Sequence, residues 1–336
     1  MKQTKLKNID DTKPGNEKDV EDLTNKISDI RDHIEEVVFG QKKVIDLIII
    51  TLLSGGHTLL VGLPGLAKTR LVRSLGTIMG LSRKRVQFTP DLMPTDILGT
   101  EILEETAKGK RSFRFLEGPV FAQFLLADEI NRASPRTQSA LLQAMQERRV
   151  TVAGTSYDLP DPFHVLATQN PIEQEGTYPL PEAQLDRFLM QIDIQYPEES
   201  FEKEMLLATT GVDDKQVKQI LSSKQLINAQ KLIRAIPVGE QVVESILKLV
   251  RNSRPNSSEL KNVKEGLLWG AGPRASQSLM IACRAKAIID GRLAPSIDDV
   301  LELASPVLKH RLNLTFSARA EGITVENIIE DIKKLI

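Results

Sequence analysis

Residues 62–69 read Gly-Leu-Pro-Gly-Leu-Ala-Lys-Thr, and they lie between an apolar run at 58–61 and a helical stretch at 70–79. The backbone N–H groups of such a loop, together with the helix N-terminus behind it, form a binding site for phosphate. Lys68 would reach the β- and γ-phosphates of a nucleoside triphosphate, and the Thr69 hydroxyl would bind Mg²⁺. The motif therefore predicts an α/β protein with a nucleotide site at the end of a strand. The residues expected to line this site are Gly62, Leu63, Pro64, Gly65, Leu66, Ala67, Lys68, Thr69 and Arg70.

Two carboxylates follow a second apolar run. Residues 124–127 are Phe-Leu-Leu-Ala, and Asp128 and Glu129 come directly after them. At the carboxyl end of a buried strand, Asp128 can bind Mg²⁺ or its water shell. Glu129, which would face the other way, can polarise the water that attacks the γ-phosphate. Together with the glycine-rich loop, this acidic pair predicts a nucleotide hydrolase.

A third strand-like run, at 164–168, is followed by a side-chain amide at Asn170. If this strand lies between the strands of the first two motifs, Asn170 would lie beside the γ-phosphate and help to orient the attacking water. An asparagine before Pro171 is also an ordinary turn signal, so this residue alone does not decide between the two interpretations.

The charge balance and the cysteine content limit the kinds of partner and compartment. Lys and Arg number 44 and Asp and Glu number 45, so the formal net charge is -1. This balance argues against a chain built mainly to cover nucleic acid or an anionic membrane. Cys283 is the single cysteine and cannot form an internal disulfide, and residues 1–26 lack the apolar core of a signal peptide. The most apolar stretch, 44–53, is too short to span a bilayer, so we expect a cytoplasmic protein.

The alternation of strand-like and helical stretches favours an αβα core with a mostly parallel five-stranded sheet. Two further pairs of strand-like runs, around turns at 108–110 and 153–155, predict β-hairpins inserted into this core. The five strand-like runs of the core are at 57–61, 85–88, 124–127, 164–168 and 189–194.

A chain of 336 residues has room for about two domains. Beyond Pro197 only helical periodicity is apparent. We therefore predict a flexible tail at 1–20, an α/β core domain at 21–222 and an all-helical domain at 223–336.

Two long stretches of the sequence resemble the MoxR family of AAA+ ATPases. One runs from Leu126 through the acidic pair to Met145, and the other runs from Ala167 to Phe188. The resemblance extends over about residues 35–315. It implies a P-loop NTPase core followed by a helical lid. It also accounts for Ala67, because many members have alanine where the general consensus of the phosphate loop has glycine.

The resemblance implies roles for several further residues. Asn170 resembles the sensor-1 amide. Arg187 resembles the arginine finger, which reaches the γ-phosphate of the neighbouring subunit, and Arg274 resembles sensor 2, which contacts the same phosphates from the lid. The two hairpins match the helix-2 and pre-sensor-1 insertions of the family. The segment that packs against adenine is matched by Val38, Phe39 and Gly40.

The function implied by the resemblance is hydrolysis of ATP, with Mg²⁺, at the subunit interfaces of a ring, expected to be a hexamer. In this family the cycle is thought to remodel or mature other proteins, often partners that carry von Willebrand factor A domains. This chain has no room for such a domain, so a partner of that kind would be a separate protein.

Three other functions stay open. A nucleic-acid motor shares both hairpin insertions, although the near-neutral charge and an aromatic content of 4% count against it. A metal-chelatase motor subunit belongs to the same branch. A non-enzymatic scaffold would bind the nucleotide without turning it over.

Other interpretations of the basic residues also stay open. Arg187 could form an ion pair with Asp186 or Glu182 in its own chain, and Arg274 could be a surface arginine at the start of a helix. Arg132 and Arg136 could bridge two subunits or simply be solvated on a helix. The first hairpin is basic and could be a solvated turn or a contact for an acidic partner. Its basic residues are Lys108, Lys110, Arg111 and Arg114.

Overall fold

A computed structural model of the chain describes residues 17–63, 66, 68–105, 111–171, 176–210 and 217–336. The first helix begins at Glu17, and Val20 on it is only 3% exposed. Residues 17–20, which the sequence placed in a tail, therefore belong to a packed helix. The rest of the expected tail lies outside the described residues.

The first part of the described chain alternates between helices and strands. In chain order its elements are α1 (Glu17–Glu35), α2 (Lys42–Leu53), β1 (Thr58–Gly62), α3 (Lys68–Ile78), β2 (Arg83–Gln87), α4 (Pro94–Leu98), β3 (Gly99–Glu105), β4 (Arg111–Glu117), β5 (Phe124–Asp128), α5 (Pro135–Glu147), β6 (Arg149–Val152), β7 (Thr155–Asp158), β8 (His164–Gln169), α6 (Glu182–Leu185), β9 (Met190–Ile194) and α7 (Glu199–Thr210).

Five of these strands form one parallel sheet in the order β2-β5-β8-β1-β9. The predicted parallel five-stranded sheet is thus confirmed. Because β8 lies between β5 and β1, the residues that follow these three strands meet at the same edge of the sheet. We call this side the carboxyl edge and the opposite side the amino edge.

Helices cover both faces of the sheet, because neighbouring residues of its central strands are buried in different cores. Leu60, Leu126 and Leu166 belong to a core that also includes α1, α2, α3 and the C-terminal helices. Leu59 and Leu125 belong to a second core, formed with α5 on the other face. Continuous apolar runs are typical of strands buried on both sides, and this arrangement gives the predicted αβα layers.

Both predicted hairpins are present within the described residues. Strands β3 and β4 pair antiparallel, and so do β6 and β7. The two hairpins touch through Phe115 and Tyr157, whose rings stack with centroids 4.0 Å apart. Residues 106–110, which include Lys108 and Lys110 of the expected basic turn, lie outside the described part of the first hairpin.

The second part of the chain is a helical lid. Four of its helices begin at a hydroxyl side chain that accepts a hydrogen bond from the backbone N–H three residues later, at Ser222, Ser296, Thr315 and Thr324. The elements of the lid are α8 (Ser223–Ala235), α9 (Glu240–Asn252), α10 (Lys261–Gly266), β10 (Leu267–Trp269), α11 (Pro273–Ile289), α12 (Ile297–Leu308), β11 (Asn313–Leu314), α13 (Phe316–Ala320) and α14 (Val325–Lys333).

The lid contains one feature that the sequence did not predict. β10 and β11 pair antiparallel and form a short ribbon, so the lid contains five strand residues in addition to its helices and is not all-helical as predicted. Strands of three and two residues are too short to show an alternating pattern. None of the helices in the described ranges combines the length and the apolar composition needed to cross a bilayer.

Candidate active site

The phosphate loop leaves the carboxyl end of β1 and enters α3. Gly62 is the last residue of β1 and lies against β9. A Cβ atom on Gly62 would come within 2.8 Å of the Ile194 carbonyl oxygen, so a side chain would not fit here without movement. Leu63 and Leu66 are described, whereas Pro64, Gly65 and Ala67 of the predicted site lie outside the described residues. The strand, the loop and the helix thus follow one another in the order that a phosphate site requires.

Lys68 points back toward the last residue of β1. It is the first residue of α3, it is half-buried, and its Nζ donates a hydrogen bond to the Gly62 carbonyl oxygen. Burial lowers the pKa of Lys68, while the carboxylates of Asp128 and Glu129 act in the opposite direction. The ammonium group is therefore close to the acidic pair. Thr69 is exposed beside it, and Arg70 is half-buried on the next position of the helix.

Asp128 is the last residue of β5 and is fixed from two sides. The Thr168 hydroxyl on the neighbouring strand β8 donates to its Oδ1 at 2.5 Å, and Arg85 Nη2 lies 2.7 Å from its Oδ2. The Thr69 hydroxyl and the Asp128 carboxylate are the hard oxygen donors that suit Mg²⁺, which takes its other ligands from water and phosphate. Among the described residues no group of three or more His, Cys, Asp or Glu could hold a metal by itself.

Glu129 turns away from Asp128 because its backbone is left-handed, with φ +56°. The left-handed conformation costs a non-glycine residue about 1–3 kcal/mol, and it persists where the surrounding structure requires it. The Glu129 N–H donates to the Thr168 hydroxyl at 2.8 Å, and its carboxylate accepts from Gln87 Nε2 at 2.7 Å. Arg132 lies 3.3 Å from the same carboxylate, so this arginine pairs within its own chain.

Asn170 lies directly after β8 and is buried, with 5% of its surface exposed. Since β8 lies between β5 and β1, Asn170 is located between the acidic pair and the phosphate loop. The sequence predicted a position beside the γ-phosphate for Asn170 if its strand lies between the strands of the other two motifs. The order of the sheet meets this condition.

The segment before α2 approaches the same edge of the sheet. The Gln41 amide donates to the Gln195 carbonyl oxygen at 3.0 Å, directly after β9. Val38 is buried in the core, and Phe39 is half-buried. Gly40 has φ +67° and touches Phe201 so closely that a Cβ atom would collide with its ring.

Arg187 is at the opposite edge. Arg187 comes just before β9, and the first residue of β9 pairs with the first residue of β1. Arg187 therefore lies near the start of β1, whereas the phosphate loop follows its end. A strand of this length separates the two edges by about 15 Å. Arg187 lines a cavity of about 290 Å³ at the amino edge. Its Nε is buried and has no hydrogen-bond partner within the described structure.

Arg274 lines the same cavity from the lid. It is the second residue of α11, it is half-exposed, and its Nη1 lies 3.7 Å from Asp186 Oδ2. Burial and the neighbouring Arg274 guanidinium lower the pKa of Arg187. Two guanidinium groups therefore converge at the amino edge, on the side away from the phosphate loop of their own chain.

The basic residues of the first hairpin are paired with acids where the structure describes them. Arg111 lies 3.2 Å from Glu105, and Arg114 lies 2.7 Å from Glu104. These pairs favour a charge-balanced, solvated hairpin. Arg136 is exposed at the start of α5.

Several residues at these two edges were not found by sequence reasoning. Thr168 was included only as part of an apolar run, and Gln87 and Arg85 lay in a run that showed no motif. Their roles depend on the neighbouring strands and not on any pattern within one segment. The residues of this kind are Arg85, Gln87, Thr168 and Arg311.

Comparisons with known proteins match both parts of the chain. Residues 57–190 match the ATPase family associated with various cellular activities (AAA), and residues 260–332 match the AAA lid domain. A crystal structure of a candidate ATPase from Cytophaga hutchinsonii superposes with a TM-score of 0.89 at 41% identity, over 95% of this chain and 97% of that one.

Similar sequences carry the MoxR name. The chaperone MoxR1 of Mycobacterium tuberculosis is 43% identical, over 90% of this chain and 80% of its own length. The protein MoxR of Paracoccus denitrificans is 31% identical, over 90% of this chain and 94% of its own. The uncharacterized protein YeaC of Bacillus subtilis is 38% identical over 94% and 96%. With its AAA domain, its lid and these relatives, the chain belongs to the MoxR family of AAA+ ATPases.

Proposed function

We propose that this chain hydrolyses ATP at a junction between two copies of itself, with the carboxyl edge of one copy facing the amino edge of the next. The observation that carries the proposal is the separation of the site residues into two groups. Lys68, Asp128 and Glu129 share one edge, and Arg187 and Arg274 share the other, about 15 Å away. A single chain cannot bring both groups to one phosphate.

The carboxyl edge supplies binding and general-base chemistry. Lys68 offers its ammonium group to the phosphates, and Thr69 and Asp128 would hold Mg²⁺, which neutralises charge on the phosphate oxygens. Asn170 orients the attacking water, and Glu129 accepts its proton. In the present arrangement Gln87 donates a hydrogen bond to one of the two oxygens of the Glu129 carboxylate and so helps to orient it.

The amino edge of the adjacent copy supplies positive charge. Arg187 and Arg274 would face the γ-phosphate, where negative charge develops as the bond to the leaving group breaks. An arginine supplied in this way accelerates phosphoryl transfer by about 10³–10⁵-fold. A guanidinium is not deprotonated in proteins, so the amino edge brings positive charge to the junction.

The contact between unlike edges determines the assembly. A junction in which different surfaces meet repeats from copy to copy and closes into a ring when the rotation permits. We propose a ring of six copies that uses the cycle for chaperone-like remodelling of protein clients, with proteins that carry von Willebrand factor A domains among its partners. The name of the relative MoxR1, a chaperone, supports this class of function.

The first hairpin favours a protein client over nucleic acid. Its described arginines are paired with glutamates, while Leu103 and Phe113 are 55% and 72% exposed on paired positions. Exposed apolar side chains beside paired charges on the described strands suit a polypeptide better than a phosphate backbone. DNA that bound in a salt-sensitive manner and stimulated hydrolysis would reverse this preference.

The proposal is tested by combining two inactive variants. Glu129→Gln removes the base but keeps Arg187, and Arg187→Ala does the reverse. Each variant alone should hydrolyse ATP at least 100-fold more slowly than the wild type while binding ATP normally. The two chains are co-expressed with different tags and purified over both tags, so that only mixed assemblies are measured.

Mixed assemblies should recover about a quarter of the wild-type rate per subunit, the share of junctions at which an intact Glu129 meets an intact Arg187. As a control, Glu129→Gln co-expressed with the double variant Glu129→Gln/Arg187→Ala should recover nothing. Failure of the first pair to recover activity, or failure of the two chains to purify together, would contradict the proposal.

A further inference from the structure

A short basic turn of the lid contacts the core segment that carries Arg187. The turn, Lys309–Arg311, links α12 to β11. Lys309 Nζ pairs with Asp193 of β9, and His310 Nε2 donates to the Phe188 carbonyl oxygen at 3.1 Å. Three consecutive lid residues therefore bind β9 and the residues directly before it.

Arg311 makes the most extensive of these contacts. Its Nε donates to Asp186 Oδ1 at 2.7 Å, and its Nη2 donates to the Phe188 carbonyl oxygen at 2.8 Å. Its Nη1 lies 3.3 Å from the Leu189 carbonyl oxygen. One guanidinium thus holds the residues on both sides of Arg187, and its side chain is only 2% exposed.

The same guanidinium also contacts the helix that carries Arg274. Arg311 Nη2 lies 3.3 Å from Ser278 Oγ, one turn along α11 from Arg274. Asp186 completes the link, because its second carboxylate oxygen lies 3.7 Å from Arg274 Nη1. Arg311 and Asp186 therefore join the core segment and the lid helix that present the two guanidiniums of the amino edge.

Burying the charge of an arginine costs desolvation free energy, and an apolar residue of similar volume would avoid that cost. We therefore ask what the hydrogen bonds of Arg311 supply besides stability. The planar fork of a guanidinium can bind several acceptors in one fixed geometry. The Nε of Arg187 has no hydrogen-bond partner among the described residues, so no hydrogen bond at that atom fixes the direction of the side chain. The backbone of residues 186–189, which Arg311 holds, sets the point and the direction from which this side chain leaves the chain.

We infer that Arg311 is a positioning residue that transmits the position of the lid in one subunit to the Arg187 that this subunit inserts into the site of its neighbour. The inference rests on the proposed function. The lid of each subunit then influences the rate of ATP hydrolysis at the nucleotide that the neighbouring subunit binds. The residues of the nucleotide site in its own chain are not affected.

The test adds Arg311→Met to the co-expression assay. Alone, this variant should lose at least tenfold in kcat while its KM for ATP stays within twofold, because its own phosphate loop and acidic pair are unchanged. Arg311→Lys, which keeps the charge but not the fork, should lose less. Co-expressed with Glu129→Gln, Arg311→Met should recover activity as Arg187→Ala does. Co-expressed with Arg187→Ala, it should recover none.

A matched control separates this effect from loss of stability. Arg292 also forms a lid ion pair, with Asp299 at 2.6 Å, and it lies away from residues 186–189. Arg292→Met should lower the melting temperature but leave kcat within twofold of the wild type. If Arg311→Met does not fold, Asp186→Asn takes its place in every assay with the same expected results.

The outcomes separate the two claims. If Arg187→Ala recovers with Glu129→Gln but neither Arg311→Met nor Asp186→Asn does, the inference about Arg311 is wrong and the shared junction stands. If none of these pairs recovers, the shared junction itself is wrong. An Arg311→Met variant with wild-type kcat would also overturn the inference.

Discussion

Thr168 joins the two acidic residues of the candidate site through a single hydroxyl group. It donates to Asp128 Oδ1 at 2.5 Å and accepts from the Glu129 N–H at 2.8 Å. The residue is fully buried on β8. The Asp128 carboxylate and the left-handed backbone of Glu129 thus both depend on a neighbouring strand for their orientation.

Replacing Thr168 by valine keeps the volume of the side chain but removes the hydroxyl. The Glu129 N–H then loses its partner in a buried place, so we expect the free energy of unfolding to fall by about 1–3 kcal/mol. We also expect kcat to fall at least tenfold, since the base loses its orientation. Denaturant unfolding and steady-state ATPase assays measure the two effects. Thr168→Ser should retain most of both quantities, and a valine variant that matched the wild type would refute this role.

Residues whose role follows from a local motif could be predicted from the sequence, and those whose role follows from strand pairing could not. Lys68, Asp128 and Glu129 each stand in a short pattern that fixes their place at a strand end. Gln87 reaches Glu129 only because β2 pairs with β5, and nothing in residues 83–87 indicates that pairing. Arg311 was missed for the same reason, since its partners in the core, Asp186 and Phe188, are more than 120 residues away.

At the scale of elements, the two hairpins form one unit through their aromatic contact. Phe115 stacks on Tyr157 with centroids 4.0 Å apart and meets Phe121 edge to face at 5.5 Å. A double-mutant cycle with Phe115→Leu and Tyr157→Leu should give a coupling energy of about 0.5–1.5 kcal/mol in denaturant unfolding. Strictly additive effects would mean that the hairpins do not support each other.

The elements of the core were easier to predict than those of the lid. Four of the five strands of the sheet are mainly apolar runs bounded by turns, and β2 is the polar exception. The observed bounds differ from the predicted runs by no more than two residues. The ribbon of β10 and β11 has five residues in total and is held by the packing of α10 and α13 around it. The helical signal at 17–20 was hidden by a run of charged residues, although Val20 packs in the core.

At the scale of the whole molecule, three buried histidines connect stability to pH. Burial lowers the pKa of His57 to about 3 and that of His164 to about 4. Burial likewise holds the pKa of His310 well below its usual value. His57 Nδ1 accepts from the Val165 N–H, and His164 Nδ1 donates to the Gly56 carbonyl oxygen while its Nε2 accepts from Gln230. Both rings are therefore neutral in the folded chain.

The sign of the pH effect follows from these lowered pKa values. Below about pH 6.5 the unfolded chain takes up protons that the folded chain excludes until about pH 4, so acidification lowers the free energy of unfolding. Each histidine contributes a slope of about 1.4 kcal/mol per pH unit in that window. Urea unfolding between pH 7 and pH 4.5 should show a shallower slope for His164→Gln than for the wild type. Equal slopes would mean that His164 is accessible to protons in the folded state.

For the whole molecule, we propose that each nucleotide is cleaved between two copies of the chain, and the proposal rests on the location of the acidic pair and the two arginines at opposite edges of the sheet. The most direct measurement is the rate of ATP hydrolysis per subunit over a wide range of protein concentration, with the mass of the particles recorded on the same dilutions. We expect the rate per subunit to fall in parallel with the loss of assembled particles. A dilute sample that consists of monomers and keeps the full rate per subunit would contradict the claim.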